Sequence, residues 1–283
     1  MARVAFLESA RRFGIALAWL LGFVAVGIGI SIVLNSLSPV PPTSRWWLAV
    51  NTGGQAIGFL AATWLVGWKL NKRTWERMGW RGGASLPRGL ALGAVMAAVA
   101  IGLSAITSGS EVQLTGDGER WLPIAVPLGV GLLCAALTEE LVFRGYPLGR
   151  LTDAVGPWAA MALLVLPFGL LHLGNPHAGL FGALNVMFAG VWLSFAFFSP
   201  GGMGYAWSLH FGWNAGLAAL FDAPVSGYRF QVPGVEYVPG ARAWVDGGAF
   251  GPEGGLVATI VIIAGTLAVL GGRVRQPRTW VTG

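Results

Sequence analysis

Charge and cysteine are what this chain has least of. Only 11% of its 283 residues are charged, where a soluble domain carries about 25%, which argues against an ordinary water-facing surface. The single cysteine, Cys134, excludes an intramolecular disulfide and any cysteine-rich metal site. Histidine is almost as scarce, at His172, His177 and His210. There is no internal repeat and no low-complexity segment. The formal charge of +6 does not point to nucleic acid, because the basic residues sit between apolar runs, where they set membrane topology.

Apolar sequence is present in quantity: 55% of residues are hydrophobic and the mean hydropathy is +0.66. The runs fall at about 13–34, 47–68, 90–106, 122–148, 158–171, 180–198, 205–221 and 256–270. Most approach the ~20 apolar residues that cross a bilayer as a helix. The run at 158–171 is short enough to be partly buried or re-entrant. The pattern predicts an all-α, polytopic membrane protein of about eight transmembrane helices. It would form a single integral membrane domain over 1–283, with the active site inside the helix bundle. The first run lacks a small-x-small cleavage site and is expected to stay as an anchor.

Thirteen of the 18 basic residues fall on one side of these runs. Arg3, Arg11 and Arg12 precede the first run, six lie between Lys69 and Arg88, Arg150 follows the fourth, and Arg273, Arg275 and Arg278 follow the last. The positive-inside rule then places both termini in the cytoplasm, in a cytoplasmic (inner) membrane. The connection 222–255 is expected to be an extracytoplasmic loop, with Tyr228, Phe230, Tyr237 and Trp244 as interface aromatics and a lid as the alternative.

Three ionisable residues stand inside this apolar background, in Leu137-Thr138-Glu139-Glu140-Leu141-Val142-Phe143-Arg144. A charge at the centre of a membrane helix costs ~2.5–3.5 kcal/mol, so three together are paired or functional. Glu140 and Arg144 lie four apart on one helix face, acid first. Glu139 is turned about 100° away and has no built-in partner. His172 ends the run Phe168-Gly169-Leu170-Leu171-His172. His210 is read as opening a helix in His210-Phe211-Gly212-Trp213-Asn214, with the imidazole and the Asn214 amide on one face. One such residue alone is commonly a hydrogen bond to a neighbouring helix; six in neighbouring runs call for more.

The combined pattern resembles the CPBP family, the CAAX-protease and bacteriocin-processing membrane peptidases also called the Abi family. Its signature is Glu-Glu-x-x-x-Arg, Phe-x-x-x-His and His-x-x-x-Asn on three spans. Here these are Glu139-Glu140 with Arg144, Phe168 with His172, and His210 with Asn214. Asn175 and Pro176 after His172 are also family-like. The motifs lie in a core of about 121–221; the first three runs and the last carry none. The resemblance implies an intramembrane endopeptidase with a membrane-associated protein or peptide as substrate and the lipid bilayer as its medium. On that reading Glu139 is the general base, Glu140 and Arg144 hold the geometry, and His172 fixes the same water. His210 and Asn214 then donate to the oxyanion.

No cofactor is favoured. The alternative is a divalent metal such as zinc on Glu139, His172 and His210, with water in the fourth position. A non-catalytic scaffold or bacteriocin-immunity protein of the same fold and a proton-coupled transporter are the competing functions. His177, after Pro176, is expected to be a loop residue. Counting rise along the helices leaves one conflict. Glu139 and His172 are equally far from the turn at 155–157, but His210 falls at another depth unless a helix is tilted or broken, with Gly174, Pro176, Gly201 and Gly202 the expected breaks.

Overall fold

The structure, a computed structural model, describes residues 2–81 and 85–271. The C-terminal cations Arg273, Arg275 and Arg278 lie outside the described residues, as does the side chain of Arg3. In chain order the helices are α1 (Ala2–Ser36), α2 (Trp47–Ala62), α3 (Ser85–Ser108), α4 (Trp121–Phe143), α5 (Gly145–Val155), α6 (Pro157–Leu171), α7 (Leu180–Phe198), α8 (Gly202–Ala215), α9 (Ala243–Asp246) and α10 (Leu256–Gly271). Helices α2 and α8 run on as π-helices, Thr63–Leu70 and Gly216–Leu220.

Among the described residues, five helical stretches are long and apolar enough to cross a membrane: Leu7–Ser36, Leu86–Ser108, Gly118–Val155, Pro157–Gly174 and Leu180–Phe198. Leu256–Gly271 is apolar but shorter. The helical membrane architecture is therefore as expected, and a count of eight requires α2, α8 and α10 as well. Large apolar side chains such as Ile106, Leu171 and Leu267 point outward, as a surface facing acyl chains allows.

Small residues bring the helices together. In lipid there is little hydrophobic gain from pairing two apolar helices, so close backbone packing has to supply the attraction. Helix α3 carries Gly89-x-x-x-Gly93 and α8 carries Gly204, Ser208 and Gly212 at the same spacing. A Cβ at Gly93 would collide with the Leu209 carbonyl, and one at Gly212 with the Leu90 carbonyl. Polar bonds add to this: the Thr52 hydroxyl of α2 donates to Gly131 O of α4 at 2.9 Å, and Trp207 Nε1 of α8 donates to Leu133 O at 2.9 Å.

Three features depart from the sequence reading. The fourth run does not continue as one helix through residue 148: α4 ends at Phe143, Arg144 is a turn residue (φ −118°, ψ −58°), and α5 starts at Gly145. Pro147 accounts for the break, since in an unbroken helix its ring would meet the carbonyl four residues earlier, at Phe143. Second, α8 begins at Gly202, whose φ of +58° suits glycine, so His210 sits in mid-helix instead of opening one. Third, the segment 222–255, expected simply as a loop, carries a strand and a short helix. Its strand β2 (Val235–Val238) pairs antiparallel with β1 (Glu111–Leu114), a long-range pairing outside the helical pattern.

That structure also changes the aromatic reading. Tyr237 is only 1% exposed, so it is a packed core residue of the loop and not an interface aromatic; Trp244 and Tyr228 are exposed. Asp222 anchors the loop by accepting the Val232 N–H at 2.8 Å and hydrogen bonds from Arg229. Burial pushes the Asp222 carboxyl above its usual range despite those bonds.

Candidate active site

The end of α4, the end of α6 and the middle of α8 meet around a cavity of about 630 Å³. Glu139, His172, His210 and Asn214 all line it, together with Phe143 and Phe168. Despite the depth conflict, His172 and His210 reach the same cavity. After Leu171 the chain makes a 3-10 turn, His172–Gly174, and re-enters as α7 at Leu180, while the turn at 199–201 starts α8 at Gly202. His177 takes φ +57° in the first of these connections and is exposed, as expected for a loop residue.

Glu140 and Arg144 sit behind the cavity wall. Glu140 is 0% exposed and Arg144 1%. The expected ion pair is present, Arg144 Nη1 to Glu140 Oε1 at 3.1 Å. Arg144 Nη2 also reaches Gly190 O of α7 at 3.4 Å. Its guanidinium lies 4.2 Å from the Phe168 ring centroid, a cation–π geometry. The Phe168 ring in turn meets the His172 imidazole edge-on at 5.0 Å. Phe168 therefore earns its place in the motif as the spacer that seats His172 against the buried arginine.

The two histidines are held alike. His172 Nδ1 is 2.7 Å from Phe168 O. A carbonyl can only accept, so Nδ1 carries the hydrogen and the Nε2 lone pair is left free. His210 Nδ1 is 2.9 Å from Glu140 Oε1, and its Nε2 is 3.8 Å from Glu139 Oε2. The imidazole thus bridges the two adjacent carboxylates. Helical rotation separates Glu139 from Glu140, and α8 brings one ring to both. Glu139 is consequently not without a partner, contrary to the sequence reading. Its side chain is 34% exposed, yet Oε2 is buried and makes no hydrogen bond. Among the described residues no hydrogen bond to the Asn214 amide is present, so it faces the cavity unengaged.

A family profile described as Type II CAAX prenyl endopeptidase Rce1-like matches residues 120–216, the stretch that carries all six of these side chains. That segment is similar to the CAAX-protease family. No curated protein matches the chain. The matched segment ends before one further part of the site, the loop that covers it. Ser226, Tyr228, Phe230 and Glu253 all line the cavity. Glu253 accepts Trp213 Nε1–H at 2.8 Å, the Ser226 amide at 2.5 Å and the Ser226 hydroxyl at 2.9 Å. Asn185 on α7 donates to Glu253 O and Gly255 O at 2.8 and 2.9 Å. Glu253 lies in the 222–255 connection and carries no spacing signal, so sequence reasoning had no means to single it out.

A free Nε2 with an engaged Nδ1, as at His172, is the arrangement that metal-bound histidines use, and also the one that water-binding or proton-handling histidines use; the His210 Nε2 faces Glu139 instead. Among the described residues, however, no three His, Cys, Asp or Glu side chains converge as a metal-binding group. Glu139, His172 and His210 share a cavity without forming such a set.

Proposed function

We propose that the protein is an intramembrane endopeptidase that cleaves membrane-associated proteins or peptides, with CAAX-type prenylated tails as the class the matched family's description suggests. The observation that carries this reading is the division of the six motif residues. Four line one cavity, while Glu140 and Arg144 lie buried behind it and hold His210 in place.

Glu139 takes a proton from water as the hydroxide adds to the scissile carbonyl carbon. The water sits between Glu139 and the free Nε2 of His172. Asn214 and the protonated Nε2 of His210 donate to the resulting oxyanion, in a low-dielectric setting where such donors are strong. The carbon–nitrogen bond then breaks, and the proton on Glu139 passes to the departing amine. Glu140 does not touch the substrate: its contact with Nδ1 sets the orientation of His210, as the aspartate of a hydrolase triad does. The reading is metal-free and places both termini and the segment 69–88 in the cytoplasm, with the motif-bearing core at about 121–221.

The test is Glu139→Gln in the purified chain, reconstituted in liposomes with a fluorogenic, membrane-anchored peptide. Loss of the base should lower turnover by ~10²–10⁴-fold with the protein still folded. Turnover within a few-fold of the unaltered chain would remove Glu139 from the mechanism.

A further inference from the structure

A second concave site lies at the other end of the molecule from the loop. It is a pocket of about 400 Å³ lined by Asn71, Lys72, Arg73, Thr74, Arg77 and Arg150. Four of the six are cations and none is an acid. Arg73 is ion-paired to Asp153, which leaves the positive charge of Lys72 and Arg150 without a counter-charge in the wall. Lys72 is exposed, in the turn that follows the π-helical end of α2, and Arg150 comes from α5. The pocket is therefore built by two elements that meet only in the folded chain.

An independent feature sets its depth. Flanking the pocket residues 71–74, Trp64, Trp68 and Trp75 are each partly exposed and stand in a row with centroids 6.3 and 6.5 Å apart. Lys69 Nζ lies 4.4 Å over the Trp68 ring. Exposed tryptophans with a lysine among them mark the level of lipid headgroups. The basic pocket begins two residues after Lys69, at Asn71, and Trp75 of the belt falls between Thr74 and Arg77.

We propose that this pocket binds the phosphodiester of an anionic membrane lipid. The charges of Lys72 and Arg150 at headgroup level match its single negative charge and its acceptor oxygens, and the neighbouring belt leaves the acyl chains in hydrocarbon. A free phosphate offers the same oxygens but nothing for the belt to hold. Occupancy would also tie α5 to the turn after α2. Because Arg144 immediately precedes α5, lipid at Arg150 braces the segment that carries the buried end of the site.

The experiment uses the full chain in neutral detergent and follows its thermal unfolding by intrinsic fluorescence. Short-chain phosphatidylglycerol, short-chain phosphatidylcholine and inorganic phosphate are titrated separately. Phosphatidylglycerol should raise the midpoint saturably, and the other two should not. The half-saturating concentration should rise about fivefold in Lys72→Gln and again in Arg150→Gln, one charge each, with Lys72→Arg restoring it. An equal shift from phosphatidylcholine would overturn charge recognition, and an equal shift from phosphate would assign the pocket to a soluble ligand. Unaltered half-saturation in Lys72→Gln would overturn the location. Should Arg150→Gln fail to fold, the Lys72 pair carries the test, since that side chain is exposed and in a turn.

Discussion

Replacing Arg144 with methionine separates the structural from the chemical role of the buried carboxylate. Glu140 is 0% exposed and Arg144 1%, so the substitution leaves a carboxylate inside the bundle with no water to reach it. Oε1 keeps the His210 Nδ1 contact at 2.9 Å, but Oε2 already makes no hydrogen bond. Breaking a buried pair in this way costs ~3–5 kcal/mol, and methionine retains most of the packing against Phe168. Removing both charges is a different matter. Arg144→Met with Glu140→Leu eliminates the desolvated pair, a replacement that is often neutral or stabilising by ~1–4 kcal/mol, less ~1 kcal/mol for the hydrogen bond lost at His210. The double variant should therefore regain at least ~2 kcal/mol of the single variant's loss and still be inactive, since nothing then orients His210. Unfolding by denaturing detergent in mixed micelles, read beside peptide turnover, checks both halves. A single-variant loss below ~1 kcal/mol, or a double variant no more stable than the single, would refute the energetic reasoning. An active double variant would refute the positioning role of Glu140.

Three shorter predictions follow from the same geometry. Asn214→Ala should lower turnover ~10²–10³-fold with KM nearly unchanged, because an oxyanion donor acts mainly in the transition state; a rise in KM alone would make it a substrate contact. Exhaustive chelation should leave activity intact and elemental analysis should find no stoichiometric metal, whereas one zinc per chain whose removal abolishes cleavage would replace the metal-free reading. Reporter fusions in the segment 69–88 and at both termini should report cytoplasm, and fusions at 239–242 the opposite side; a cytoplasmic signal from the latter would invert the topology.

Much of this arrangement was legible in the chain because it is local. The apolar runs follow from bilayer thickness, and the Glu140–Arg144 pair follows from 3.6 residues per turn. The breaks near Gly174–Pro176 and Gly201–Gly202 follow from the backbone freedom of glycine and the constraint of proline. Pro147 was equally visible, and its clash with the Phe143 carbonyl would have ended α4 where the structure ends it, had residue i−4 been counted.

What lay beyond the sequence depends on which faces of distant helices meet. Residues 70 apart share a hydrogen bond when His210 reaches Glu140, and no periodicity within α4 or α8 encodes the rotation that brings them together. The small residues that set that rotation, Gly89, Gly93, Ser208 and Gly212, were present in the sequence, but their effect exists only once two backbones touch. The same holds for Glu253 and the covering loop, and for the basic pocket between Lys72 and Arg150. By itself the sequence determined that this is a helical membrane protein with a buried charged pair and three polar motifs, since those follow from hydropathy and helical spacing. Tertiary structure alone decided that one imidazole bridges two neighbouring carboxylates, because helix rotation and tilt are set by side-chain packing across the bundle.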